Sequence, residues 1–393
     1  MNWYKSIVAG AFLLSSVSLY AQDNLINSLK NNTSDNSKEG FTFTEVINLG
    51  RTSIKDQGSS GTCWSYSGNS FLESEMIRMG KDPVEISSIF TARNTYIEKA
   101  KNYVRLHGNQ AQGDGGQLHD VLTIFKKYGA VPYDAYTGLA EGQHRNNFSE
   151  MSPILQSITS SVAKSKKPTS NWINAFTAAM DSYLGEVPES FEYRGQTYTP
   201  RTFADEVVGI NPDDYVGISS FKEHRYYDTF VLLIPDNWSF ESFYNVQMQD
   251  LTDIIDQALQ KGFTVAWATD VSEKSFSWKN GVAYVPEKPI ETMSSTELDD
   301  LFNGPKKEAQ ITEDQRQAAF DNFQTTDDHG MHIVGTVKDQ NGKEYYIVKN
   351  SWGETNDYQG YMYATKEFVK YKTISLLLHK DGLTKDMKGK LGL

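Results

Sequence analysis

One cysteine, Cys63, stands in a chain of 393 residues, within Ile54-Lys-Asp-Gln-Gly-Ser-Ser-Gly-Thr-Cys-Trp-Ser-Tyr-Ser67. A lone thiol cannot close an internal disulfide and makes a poor metal site, which leaves an incidental buried thiol or a nucleophile. Gly58 and Gly61 make a tight loop, and the spacing predicts a helix starting at or just before Cys63. A helix N-terminus favours thiolate over thiol, so with a histidine partner the thiol is expected well below its free pKa of about 8.5. Gln57 lies on the approach to this loop. Its amide, together with the Cys63 N–H, would supply the two donors that an acyl-transfer oxyanion needs. The bland alternative for Gln57 is a loop residue that satisfies backbone groups.

Such a nucleophile needs a base, and seven histidines are available. His329 and His332 open a strand in Asp-Asp-His329-Gly-Met-His332-Ile-Val-Gly335, and Tyr-Tyr-Ile-Val-Lys-Asn350-Ser-Trp-Gly-Glu354 follows. Two neighbouring strands would bring the start of the first close to the end of the second. The Asn350 amide would then accept from one ring nitrogen of His329, fix its tautomer and leave the other nitrogen facing the thiolate. Trp352 would cover that hydrogen bond from water, and it is grouped with the substrate-side residues. His332 is an odd number of steps along, so in an extended strand it points to the other face. Either histidine alone reads as a structural residue; the pairing with Asn350-Ser-Trp-Gly selects His329.

The elements that must position these groups are visible as periodicities. Trp64, Phe71, Leu72, Met76 and Met79 recur at helical spacing after Thr62, with Gly80 as a stop. A second amphipathic helix, 116–127, presents Leu118, Val121, Leu122 and Phe125, and Gly129 and Pro132 end it. The stretch from about 137 to 235 alternates weak helical patterns with polar, Pro-containing loops and reads as an insertion. A short helix is expected at 251–260, with strands at 263–268, 282–285, 331–337, 345–349, 361–364 and 374–378. Helices first and strands later predict an α+β protein of two packed halves, with a site between them drawing on both ends of the chain.

The formal net charge of −12 is spread along the chain, which argues against nucleic acid or anionic lipid as a partner. Residues 1–21 read as a signal peptide: Lys5, a mostly apolar run from Ile7 to Tyr20, and Ala21 at a cleavage point. That run is short for a bilayer span, and the alternatives are a short anchor or a buried helix. The expectation is an exported protein, periplasmic or secreted, free of the membrane after cleavage. Residues 22–40 are polar and read as a flexible linker, with the folded domain at 41–393.

Taken together, Gln57…Gly61-Thr-Cys63-Trp-Ser, Asp328-His329-Gly and Asn350-Ser-Trp-Gly resemble the papain family of cysteine peptidases. The spacing, the missing disulfides and the long insertion resemble its bleomycin hydrolase and aminopeptidase C branch, from about residue 41 to 385. The resemblance implies a papain-like two-lobed fold, with Cys63 on a helical lobe and His329 and Asn350 on a β-rich lobe. It implies peptide substrates, no metal or organic cofactor, and a homo-oligomer, hexameric in that branch. It also implies that Gly115 and Gly116 form the backbone edge that binds substrate; bare glycine allows a peptide close approach, whereas without the resemblance this pair reads as a turn. The expected chemistry is peptide hydrolysis through a thioester, by an aminopeptidase. The rivals are a silent peptide-binding protein and an acyltransferase with the same triad. Two features depart from the branch, where the C-terminal tail lies in the cleft and relatives are cytoplasmic: this tail does not match, and this chain carries the export signal.

Overall fold

Helix α1 (Cys63–Arg78) is buried along nearly its whole length, so it must be packed on every side. The computed structural model, which describes residues 40–140 and 142–393, shows what does so. Helix α2 (Ser88–Arg105) starts at Ser87, whose hydroxyl accepts from the N–H of Phe90 at 3.1 Å. Helix α3 (Leu118–Tyr128) crosses α1 closely at Gly68, where a β-carbon would strike Val121. Its first turn is held by Asp120, which accepts from the N–H of Gln117 at 2.8 Å. The expected signal peptide and linker, Gly40 apart, lie outside the described residues.

The segment expected as an insertion supplies α4 (Met151–Ala163), α5 (Asn171–Leu184) and a small hairpin of β2 (Phe191–Tyr193) and β3 (Gln196–Tyr198). Phe176, Met180, Leu184 and Phe203 from this stretch share one core with Phe71, Leu72 and Met76 of α1. The same stretch then enters the main sheet through β4 (Tyr215–Ser219) and β5 (Thr229–Val231).

The remaining strands are β1 (Phe43–Asn48), β6 (Ser242–Asn245), β7 (Val265–Thr269), β8 (Phe276–Ser277), β9 (Val282–Ala283), β10 (His329–Asp339), β11 (Glu344–Lys349), β12 (Tyr361–Thr365) and β13 (Thr373–His379). The sheet runs β5-β6-β4-β13-β7-β10-β11-β12-β9-β8. Strand β10 is its axis. Its first half pairs with β7, from His329 opposite Thr269 to Ile333 opposite Val265, and its second half with β1, from Gly335 opposite Asn48 to Asp339 opposite Phe43. A bulge between Ile333 and Gly335 marks the handover. Met331, Ile333, Val348, Trp267 and Trp352 build the core of this half. The architecture is the expected α+β fold, a helical half against a β-rich half.

The C-terminal segment joins that second core. Thr384 caps helix α6 (Lys385–Leu391), and Leu383, Met387 and Leu391 pack with Leu251, Ile255 and Leu378. Apolar side chains spaced along a short capped helix keep this segment in the β half. No helix among the described residues is long and apolar enough to cross a membrane.

Candidate active site

Cys63 opens α1. Thr62 makes no side-chain cap there and the first turn of the helix holds no acid. The preceding loop is tied across to the β half: the Gln57 N–H donates to the Ser351 carbonyl at 2.9 Å, and Gln57 Oε1 accepts from the Ser351 hydroxyl at 2.7 Å. Gln57 Nε2 gives one proton to the Ser60 carbonyl at 2.7 Å, and its second proton has no partner among the described residues. Gly330 of β10 brings the halves together. A β-carbon there would lie 3.0 Å from the Trp64 Cα, 3.2 Å from its N and 3.5 Å from the Cys63 carbonyl carbon. A side chain there would press the strand backbone away from the first turn of α1. The Ser67 hydroxyl fastens the contact by donating to the Gly330 carbonyl at 2.5 Å.

This seat puts His329, the first residue of β10, into the same cavity as Cys63. His332 is paired with Lys349 in the sheet, so His329 and Asn350 overhang at one end, and His329 Nε2 meets Asn350 Oδ1 at 2.7 Å. Asn350 Oδ1 also accepts the Ser351 N–H, at 2.7 Å. With Nε2 donating there, Nδ1 is the nitrogen left for proton exchange. The Trp352 ring lies 4.5 Å from the imidazole, tilted by 35°, and is itself packed by Trp278 and Phe276. Trp352 therefore covers the His329–Asn350 bond, as its position in the motif suggested. The Trp352 ring itself is wholly buried.

His332 belongs elsewhere. Its Nδ1 meets the Ser70 hydroxyl at 3.0 Å, and the ammonium of Lys349 donates to the same oxygen at 2.8 Å. Burial, then Lys349 and Arg51, hold its pKa well below the usual histidine range. It is a neutral internal residue.

Gly115 and Gly116 line the cleft opposite His329. Gly116 rests on the Trp64 ring, which a β-carbon would approach to 2.8 Å, and Gly115 rests on the carboxylate of Asp236. Lys99 holds this edge from inside, donating to the carbonyls of Gly113 at 2.8 Å and Gly115 at 2.5 Å. Asp114 fixes it to α1, its carbonyl accepting from Trp64 Nε1 at 3.0 Å and its carboxylate from the Ser152 hydroxyl at 2.5 Å.

The sequence of the peptidase C1-like family matches residues 11–392. The chain belongs to that family. Among its relatives, aminopeptidase G of Lactobacillus delbrueckii subsp. lactis is 25% identical over 380 residues, covering 85% of this chain and 82% of that protein. Aminopeptidase C of Lactococcus lactis subsp. lactis is 24% identical over 382 residues, covering 86% and 83%. The crystal structure of PepW from Lactobacillus rhamnosis HN001 shares the fold, with a TM-score of 0.68 over 98% of this chain and 95% of that one, at 20% identity. These likenesses set the chain in the bleomycin hydrolase and aminopeptidase C branch of the papain-like cysteine peptidases.

The charge around this thiol opposes its ionisation. Burial pushes the Cys63 pKa up to about 12; the Gly330 and Trp64 backbones pull it down, while Asp236 and Asp327 push it further up. The depressed pKa expected from a helix end and a histidine thus meets two opposing causes, exclusion of water and carboxylates across the cleft. Asp327 accepts from Gln117 Nε2 at 2.5 Å, and burial followed by Asp236 raises its own pKa well above the carboxylate range. Asp114, Lys99, Asp236 and Asp327 were not marked by any motif. Lys99 sits where a lysine in a helix ordinarily reads as solvated, and Asp236 lies far along the chain from the elements it faces.

Proposed function

We propose that this chain is an exported aminopeptidase that releases N-terminal residues from peptides through a Cys63 thioester. The observation that carries the reading is the 2.7 Å bond between His329 Nε2 and Asn350 Oδ1 beside the cavity that Cys63 also lines. In this mechanism His329 Nδ1 takes the Cys63 proton, and sulfur attacks the scissile carbonyl carbon. The oxyanion is received by the Cys63 N–H and the uncommitted Gln57 Nε2 proton. Loss of such a donor typically costs about 2.7–4 kcal/mol of barrier. The C–N bond breaks as imidazolium returns its proton to the leaving amine. His329 then deprotonates a water that attacks the thioester, and the acyl group leaves as a free acid while sulfur recovers the proton.

Restriction to N-terminal residues is supported by the relatives named aminopeptidases. Export is supported by Lys5 and the apolar run to Tyr20. Cys63→Ala should lower turnover of aminoacyl amide substrates by about four to six orders of magnitude, with circular dichroism and melting temperature retained. Turnover that survives in a folded variant refutes the mechanism. Fractionation of expressing cells tests export, which fails if the chain stays inside with its first residues uncut.

A further inference from the structure

One end of the Cys63 cleft is closed by the loop 232–241, which joins β5 to β6 across their hairpin. The loop is built to hold its shape. Buried Asn237 donates to the carbonyls of Leu232 and Glu241, both at 2.9 Å, and accepts from the Glu241 N–H at 3.1 Å. Buried Trp238 donates to Asp120 of α3 at 2.8 Å, and the Ser239 hydroxyl meets His119 Nε2 at 3.2 Å. These anchors set Asp236 against Gly115, its carboxylate occupying the space a β-carbon of Gly115 would need. Asp236 lines the cavity together with Cys63, His329 and Asp327. No hydrogen bond or ion pair to its carboxylate occurs among the described residues. Lys99, the cation that acts on it most strongly, gives two of its three ammonium protons to the Gly113 and Gly115 carbonyls.

A peptide lying along Gly115 and Gly116 therefore runs into a fixed carboxylate. An α-ammonium can meet it, being small, cationic and furnished with three N–H donors for an acceptor that lacks one. An acylated N-terminus brings neither the charge nor the small size. The C-terminal helix is packed into the β core, so it does not supply this negative charge.

We infer that Asp236 binds the free α-ammonium of the substrate's first residue and so sets the one-residue reach of the cleft. The inference rests on the aminopeptidase reading and deepens it. Asp327 lines the same cavity, and the charge of Asp236 helps burial to raise its pKa. An ammonium placed here would relieve the crowding of acids that burial leaves without water.

The test compares alanyl-7-amido-4-methylcoumarin with its N-acetyl form, using the full chain, Asp236→Asn and Asp236→Glu. The wild type should prefer the free amine strongly. Asp236→Asn should lose about 10- to 100-fold in kcat/KM on the free amine, chiefly through KM, the scale of a lost hydrogen bond to a charged group. Its preference for free over blocked substrate should fall by the same factor, and Asp236→Glu should recover part of it. An equal loss on both substrates, or an Asp236→Asn preference like that of the wild type, overturns the anchor while leaving the aminopeptidase reading intact. A wild type that cuts both forms equally overturns both. Should the variants fold poorly, the wild type decides alone. The propionyl amide, which lacks only the amine, should show a KM about 10- to 100-fold above that of the alanyl amide, and equal values overturn the anchor.

Discussion

Replacing Gly330 with alanine tests whether the seat of α1 on β10 sets the chemistry. The added carbon would stand 3.0 Å from the Trp64 Cα and 3.2 Å from its N, against about 3.5–4.0 Å for ordinary carbon contact. Both neighbours are helix backbone, which cannot swing aside as a side-chain tip can, so the first turn of α1 must withdraw by roughly half an ångström. Overpacking of this kind costs about 1–3 kcal/mol of stability. A misplacement of about 1 Å at reacting groups can cost about 10²-fold in rate, so half that distance predicts roughly a tenfold fall in kcat.

Gly68→Ala is the matched control. It lies on the same helix, but its β-carbon would press on Val121 of α3, on a methyl and, at 3.1 Å, on Cβ, and not on the turn that carries Cys63. It should cost at least as much stability with kcat within about twofold of the wild type. The assay pairs thermal melting with kcat and KM on an aminoacyl coumarin amide, and adds the rate of Cys63 alkylation by iodoacetamide. If Gly330→Ala melts lower yet keeps wild-type kcat, the contact of strand backbone with helix start is structural only, and the reasoning that ties it to Cys63 and His329 is wrong.

Two further outcomes follow from the site. Asn350→Ala removes the acceptor for His329 Nε2 beneath Trp352; kcat should fall about 10- to 100-fold with KM little changed, and a loss confined to KM would assign Asn350 to binding instead. The melting temperature should fall as pH rises from about 6.5 to 8. Burial raises the carboxyls of Asp120 and Asp270 to about 7, so the folded state holds protons that the unfolded chain releases near 3.9, and that stabilisation is lost as pH climbs through 7. His119, held at about 4, and His332, held well below its usual value, are buried neutral; they cost stability only as pH drops below about 6.5. Calorimetry across this range checks the sign, and a melting temperature that climbs from pH 6.5 to 8 contradicts it.

What the linear text disclosed, and what it hid, divides by range and by burial. Helix α1 and strands β10 and β11 were legible because each is a continuous apolar pattern ending at a chemical motif, and the odd step from His329 to His332 sufficed to place them in different surroundings. Helix α2 passed unread although it is 18 residues long. Thr91, Arg93, Asn94, Thr95 and Lys99 are all buried in it beside Ile89, Phe90 and Tyr96, so its polar positions do not mark a solvent face and the amphipathic signal is lost. Strand β1 slips register between Glu45 and Ile47, and a bulge erases the two-residue alternation by which a strand is recognised. The stretch near 137–235 carried no motif, yet Ser152 within it braces Asp114 under the glycine edge. That contact spans 38 positions, beyond the reach of any local pattern.

The acids around Cys63 make the same point about function. Local reasoning weighed the helix end and the imidazole, both of which favour thiolate, and the fold adds Asp236 and Asp327, both of which oppose it. A cleft that merely needed a ready thiolate would gain nothing from such neighbours. Their presence is rational when the ligand itself is a cation. An ammonium held at Asp236 cancels the charge that burdens the sulfur and displaces nothing that catalysis needs. Selectivity for a free N-terminus and ionisation of the nucleophile then draw on one electrostatic balance, and a neutral, blocked peptide fails on both counts.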